Sequence, residues 1–196
     1  MDIVSRVKNI LLQPVQEWGV IDGESATVGS LYTQYAMILA AIPLVIAIIV
    51  AAAYRGGLGL GFGLVVAIIS YVIDLALLYV VALIINALAP SFGGQANLVQ
   101  ALKVTVYSST AMWIAAILGL IPFFLSGALV LLVGGIYTLV LYWLGLPKMM
   151  KVPEEKKVGF NIVVFLCIIV LKIIIGVIIA AITLAVVGGA LATMGH

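Results

Sequence analysis

The chain has 196 residues, of which 66% are hydrophobic and 8% charged, against roughly 45–50% apolar and about 25% charged in an ordinary soluble domain. A mean hydropathy of +1.39 leaves more apolar surface than one water-facing core can hide, so most side chains must meet hydrocarbon, and membrane lipid is the first partner. A formal net charge of +2, dispersed along the chain, excludes nucleic acid as a partner.

Backbone polar groups in hydrocarbon must be satisfied within the chain, and these apolar runs are continuous rather than alternating, which selects helices over a β-barrel. The expected fold is therefore an all-α integral membrane protein, a five-helix transmembrane bundle preceded by an interfacial amphipathic helix. In residues 2–13, Ile3, Val4, Val7, Ile10 and Leu11 recur at helical spacing, set against Asp2, Ser5, Arg6, Lys8 and Asn9, until Pro14 ends the pattern. Residues 15–30 read as a polar tether, with Trp18 placed in the headgroup layer. Residues 1–34 thus form a cytoplasmic amphipathic segment and 35–196 the transmembrane domain. The first apolar run starts too late, after Asp22 and Glu24, for a cleaved secretory signal.

The first span is expected at about 35–54, kinked at Pro43, and the glycine-rich stretch from Gly56 to Gly63 reads as a turn and small-residue helix start rather than a phosphate loop. The second covers about 64–88 and stops before Pro90; the third, about 98–121, carries Lys103 in its first turns and ends at Pro122 in a tight hairpin. The fourth, about 124–146, contains Gly134 and Gly135, which allow close helix contact, and ends in Tyr142 and Trp143 as an interfacial belt. The last, about 159–193, is some 50 Å long at 1.5 Å per residue, against a core of ~30 Å, so it must tilt, protrude or break, with Gly176 or Gly188-Gly189 as the expected break. Cys167, the single cysteine, lies in this run and reads as a small buried hydrophobe.

With the N-terminus cytoplasmic, Arg6, Lys8, Lys103, Lys148, Lys151, Lys156 and Lys157 all fall inside and only Arg55 outside. The C-terminus is then external, and His196 reads as a chain end rather than a ligand. Two ionisable residues remain within spans, Asp74 in the second and Lys172 in the fifth, each costing about 2.5–3.5 kcal/mol at a helix centre. Both fall near mid-depth, so an interhelical ion pair is expected, with Ser70, Tyr71 and Tyr79 as polar neighbours and Tyr107, Ser108, Ser109 and Thr110 available on the third span. The alternative is a proton- or ion-linked transporter or channel working through Asp74 and Lys172. No cofactor, metal or catalytic constellation is expected: there is one histidine, one cysteine and no intramembrane acid pair, so the protein is read as non-enzymatic.

The opening RVKNILLQPVQEW, the YSSTAMW of the third span and YTLVLYWLGLPKMMKVPEEKKVGF between the fourth and fifth spans, in that order, resemble the Yip family of small membrane proteins. That family is named in eukaryotes for interacting with Ypt/Rab GTPases. The resemblance implies a cytosolic N-terminus and five spans. The short N-terminal segment is similar to the bacterial branch, for which it implies an inner-membrane location. The resulting expectation is a non-enzymatic protein that organises lipids or partner proteins, a second copy of itself among them, through its spans and the basic loop of Lys148, Lys151, Lys156 and Lys157.

Overall fold

A computed structural model describes the backbone of residues 2–121 and 126–194, and the side chains of these except 54–60, 62, 126, 182–183 and 185–194. Among the described residues five helical stretches are long and apolar enough to cross a bilayer: Val28–Ala53, Gly63–Phe92, Leu98–Leu120, Gly127–Met149 and Lys157–Ala181. They are preceded by α1 (Ile3–Leu12) and α2 (Pro14–Gly23). The all-α five-span bundle read from the apolar runs is the observed fold.

Helix α1 is capped by Asp2, whose carboxylate accepts from the Ser5 amide at 3.2 Å. Pro14 opens α2 at its first turn, where no backbone donor is lost. The expected tether is therefore a helix, and α1 and α2 pack together rather than trailing from the bundle. Trp18 is 1% exposed, not in the headgroup layer: its ring lies on Gly145 of the fourth span, where an added Cβ would come within 2.6 Å of it. Arg6 also departs from the expected polar face. Ile3, Arg6 and Ile10 share one stripe at i, i+3 and i+7, and the bundle buries Arg6 beside Ile10.

The first span starts at Val28, earlier than the apolar run alone indicates, because Thr27 and Ser30 form a reciprocal capping box. Helical backbone (α3, Val28–Leu31, then a π turn at Tyr32–Ala36) continues into α4, Met37–Leu88. The chain reverses direction between Ala51 and Gly63, since Tyr32 Oη donates to Leu75 O at 2.8 Å and Tyr71 Oη to Met37 O at 3.0 Å. A Cβ on Gly63 would lie 2.9 Å from that of Ala51, so the small-residue contact expected of the glycine stretch is made here between the first two spans. The side chains of Gly56 to Gly59 and Arg55, and the Pro122 hairpin, lie outside the described residues.

The third span, α5 (Leu98–Ala115) with its short 3-10 extension, is the hub. Over the 18-residue apolar window of each, 67% of the third span is buried against 6% of the fifth. The third span packs on the first two spans and on the fourth. Gly134 presses on it so closely that a Cβ would meet Ala115 at 2.7 Å, which is the close helix contact expected of Gly134-Gly135. The fourth span begins as α6 (Ser126–Leu129), passes through a π-helical stretch at Val130–Gly135 and ends as α7 (Ile136–Met149). The fifth, α8 (Lys157–Met194), runs unbroken through Gly176 and Gly188-Gly189. No break relieves its length, so the excess is taken up by tilt or protrusion.

One end of the bundle gathers α1, α2, the 93–97 turn and the 150–156 loop: Gln95 N donates to Met150 O at 2.7 Å, and Gly93 packs on Pro153. Polar contacts close this end. Arg6 pairs with Glu17 and Glu24 and lies 5.4 Å over the ring of Tyr107. Burial pulls its pKa down, but the hydrogen bond and charge of Glu24, with Tyr107 and Glu17, outweigh it and hold the guanidinium above its ordinary value. Lys103 is 3% exposed, and its ammonium donates to Ile21 O at 2.9 Å and to Glu24 O, closing the carbonyl end of α2. Asp22 accepts from Gln100 Nε2 at 3.2 Å and pairs with Lys151.

Two consequences are measurable. Gly145→Val drives a side chain into the Trp18 ring and costs about 1–3 kcal/mol, read as a lowered midpoint of thermal unfolding in detergent. Arg6→Met strands two carboxylates and costs on the order of 3 kcal/mol. It frees α1 and α2 to limited proteolysis, whereas Lys8→Met, at an exposed position on the same helix, leaves them protected.

Candidate functional site

The intramembrane charges sit on one level of the bundle. Asp74 lies fourteen residues before Leu88, Trp113 fifteen after Leu98 and Lys172 fifteen after Lys157. All three counts start from the end that gathers the N-terminal helices, so each residue is about 21–22 Å from it at 1.5 Å per residue. Depth alone would bring Asp74 and Lys172 together.

Lateral position does not. Among the described residues Asp74 and Lys172 form no ion pair. Asp74 instead accepts a hydrogen bond from the indole Nε1 of Trp113, at 2.9 Å. The expected pairing is corrected for a packing reason: the second span lies along α5, which carries Trp113, while α8 touches the bundle at its margin. Nothing singled out Trp113 beforehand. The available signal was an indole donor at the same axial level as an intramembrane acid, a donor that can satisfy a carboxylate without adding a charge.

Asp74, half-buried, and Lys172, exposed on α8, both line a cavity of about 1200 Å³ to which all five spans contribute. Asp74, Lys172, Ser70 and Tyr71, the four residues of the expected polar centre, all line it. The rest of its wall is mostly aliphatic and aromatic, with Leu77, Met112, Leu139 and Phe165 among its members. Tyr142 is buried on this wall, edge-on to Phe165 at 6.4 Å, rather than in an interfacial belt with Trp143. Ser109 lines it too, but its hydroxyl donates to Thr105 O at 2.8 Å, as helix hydroxyls usually do. Tyr107 and Thr110 turn the other way: Tyr107 stacks edge-on with Tyr35, whose hydroxyl lies 2.8 Å from Thr110 Oγ1. Among the described residues Ser108 is buried with no hydrogen-bond partner. Tyr79 is exposed and is not part of the wall.

Chemically, the site offers one carboxylate steadied by a neutral donor and one ammonium, at the same depth on a mostly apolar wall. That arrangement can recognise charge. Among the described residues no three His, Cys, Asp or Glu side chains converge on a metal position.

The expected basic loop divides in two. Lys151 pairs with Asp22 and Lys157 with Glu154. Lys148 and Lys156 are exposed and make no ion pair among the described residues. The amine of Lys148 lies over Gly19 and that of Lys156 near Gly93.

Trp113→Phe keeps an aromatic ring and removes the donor, leaving Asp74 unsupported at a cost of about 1.5–3 kcal/mol for a hydrogen bond to a charged group. Asp74→Asn retains an acceptor for the indole and costs less. Reversible unfolding in bicelles separates the two, and equal losses would contradict the Trp113 to Asp74 bond.

Comparisons with known proteins agree on one group. Two curated relatives match, each an "Inner membrane protein YohC" of Escherichia coli, from strain K12 and strain O6:H1. Each is 26% identical over 166 residues, covering 81% of this chain and 85% of the relative. No solved structure matches. The Yip1 domain model matches residues 8–178, from the middle of α1 well into α8, and the chain accordingly belongs to the Yip1 domain family.

Proposed function

We propose that this Yip1-domain protein is a non-enzymatic organiser of membrane lipid, held in a bacterial inner membrane with its N-terminal helices and lysine-bearing loops on the cytoplasmic side and its C-terminus outside. The observation that carries the reading is the cavity: about 1200 Å³ among five spans, with mostly apolar walls and its two charged groups at one level. Such a space suits an amphiphile drawn from the surrounding bilayer. The name of the E. coli relatives supports the location. Positive charge supports the direction, because the end that gathers α1, α2 and the 150–156 loop also holds Arg6, Lys103, Lys148, Lys151, Lys156 and Lys157.

The two unpaired lysines make this end a docking face for anionic headgroups, each contributing about 1 kcal/mol near a charged surface. Lys151 and Lys157, already neutralised by Asp22 and Glu154, act chiefly within the protein. Partner proteins or a second copy would be recruited at the same face.

Two measurements test the reading. Protein extracted into polymer nanodiscs retains phospholipid that survives exchange into lipid-free detergent and is recovered chemically intact; hydrolysed or modified lipid, or none retained, would overturn it. The double variant Lys148→Gln/Lys156→Gln keeps its topology and binds vesicles rich in phosphatidylglycerol more weakly, by about 2 kcal/mol in all. Lys151→Gln/Lys157→Gln has the smaller effect on binding. If the first pair leaves vesicle binding unchanged, the loop has no part in lipid contact.

A further inference from the structure

We propose that the five-span cavity holds a single zwitterionic phospholipid of the phosphoethanolamine class, its ammonium at Asp74 and its phosphate at Lys172, with its chains along the apolar wall. The inference rests on the lipid-organising reading above and names the lipid.

Three observations carry it. Asp74 and Lys172 are the only charged side chains on the described wall, they stand at one depth, and they do not pair with each other. Opposite charges held apart in hydrocarbon are both costly unless something between them carries the complementary pair. An anionic lipid would satisfy Lys172 while setting a second negative charge beside Asp74, and a cationic one would do the reverse. A zwitterion satisfies both and leaves the site neutral.

The second observation is the state of Asp74. Trp113 donates to Oδ2 only, and no other donor to Asp74 is present among the described residues, so the carboxylate keeps acceptor capacity for an ammonium. A primary ammonium, with three N–H donors, uses that capacity. The third is size: about 1200 Å³ exceeds the roughly 300–1,000 Å³ of small-molecule sites. On the same wall Ser109, whose proton is held by Thr105 O, can still accept from a headgroup, and Ser70 stands one turn from Asp74.

The test uses the full chain in mild detergent, titrated with equimolar phosphatidylethanolamine and phosphatidylglycerol of identical acyl chains and read by native mass spectrometry. The wild type binds phosphatidylethanolamine preferentially. Asp74→Asn, which keeps the acceptor for Trp113 and so preserves the packing, leaves Lys172 alone and shifts the preference towards phosphatidylglycerol by about tenfold, as expected for removing one member of a complementary charge pair. Lys172→Met, which leaves the site negative, loses phosphatidylglycerol almost entirely and weakens phosphatidylethanolamine. A bound lipid whose headgroup preference ignores both charges overturns this inference and leaves the lipid-organising reading standing; no bound lipid at all overturns both.

Discussion

Hydrocarbon solvates methyl groups but not hydrogen-bonding ones, and this inverts the usual relation between polarity and exposure. Compared over an 18-residue apolar window of each, the third span has the lowest mean hydropathy of the five, 1.4, and is the most buried, at 67%; the fifth has the highest, 3.4, and is buried over only 6%. In water that order would unfold a protein. In a bilayer the polar helix must be enclosed by the others, and α5 supplies alanine, serine and threonine over which neighbouring backbones can approach. The positions of Trp113, Thr110 and Lys103 all follow from this one helix being central, and so does the marginal placement of α8.

The same constraint explains why the N-terminal helices are part of the bundle. An amphipathic helix with an arginine in its inward stripe has no favourable place against bare lipid, but it has one where Glu17, Glu24 and Tyr107 converge on the guanidinium. Lys103 completes the arrangement by reaching back from α5 to the carbonyl end of α2. Trp18 then fills the space that Gly145 leaves open on the fourth span. Contacts between residues more than a hundred positions apart thus tie α2 to α7 and to the loop beyond it. The end of the molecule that carries most of the lysines is a built surface rather than a set of loose loops.

At mid-depth the solution is different. Asp74 is steadied by a neutral indole, while Lys172, exposed on α8, lines the same cavity without pairing with it. A protein selected only for stability could close this space with aliphatic residues and dispense with both charges. Their position at one level, on a mostly apolar wall, is what gives the cavity a chemical address. The π-helical turn at Val130–Gly135 borders the same space, with Val130, Leu131 and Gly135 in its wall, and such turns recur where helices are shaped around a site.

Sequence alone determined the all-α membrane fold, the number of crossings, the family and the shared axial level of Asp74 and Lys172, because helical rise converts residue count directly into depth. It did not determine azimuth. Which face of a helix meets which neighbour depends on packing among five helices at once, and there Arg6 turned inward, Trp18 left the headgroup layer, and Asp74 took Trp113 instead of Lys172. The glycines behaved likewise: Gly134 marked a close approach in both readings, while Gly176 and Gly188-Gly189 marked no break, since an interior glycine costs about 1 kcal/mol and a helix across hydrocarbon has far more to lose by opening its backbone. Depth is a property of one helix and is written in its spacing; partnership is a property of the assembled bundle, and only the tertiary structure decided it.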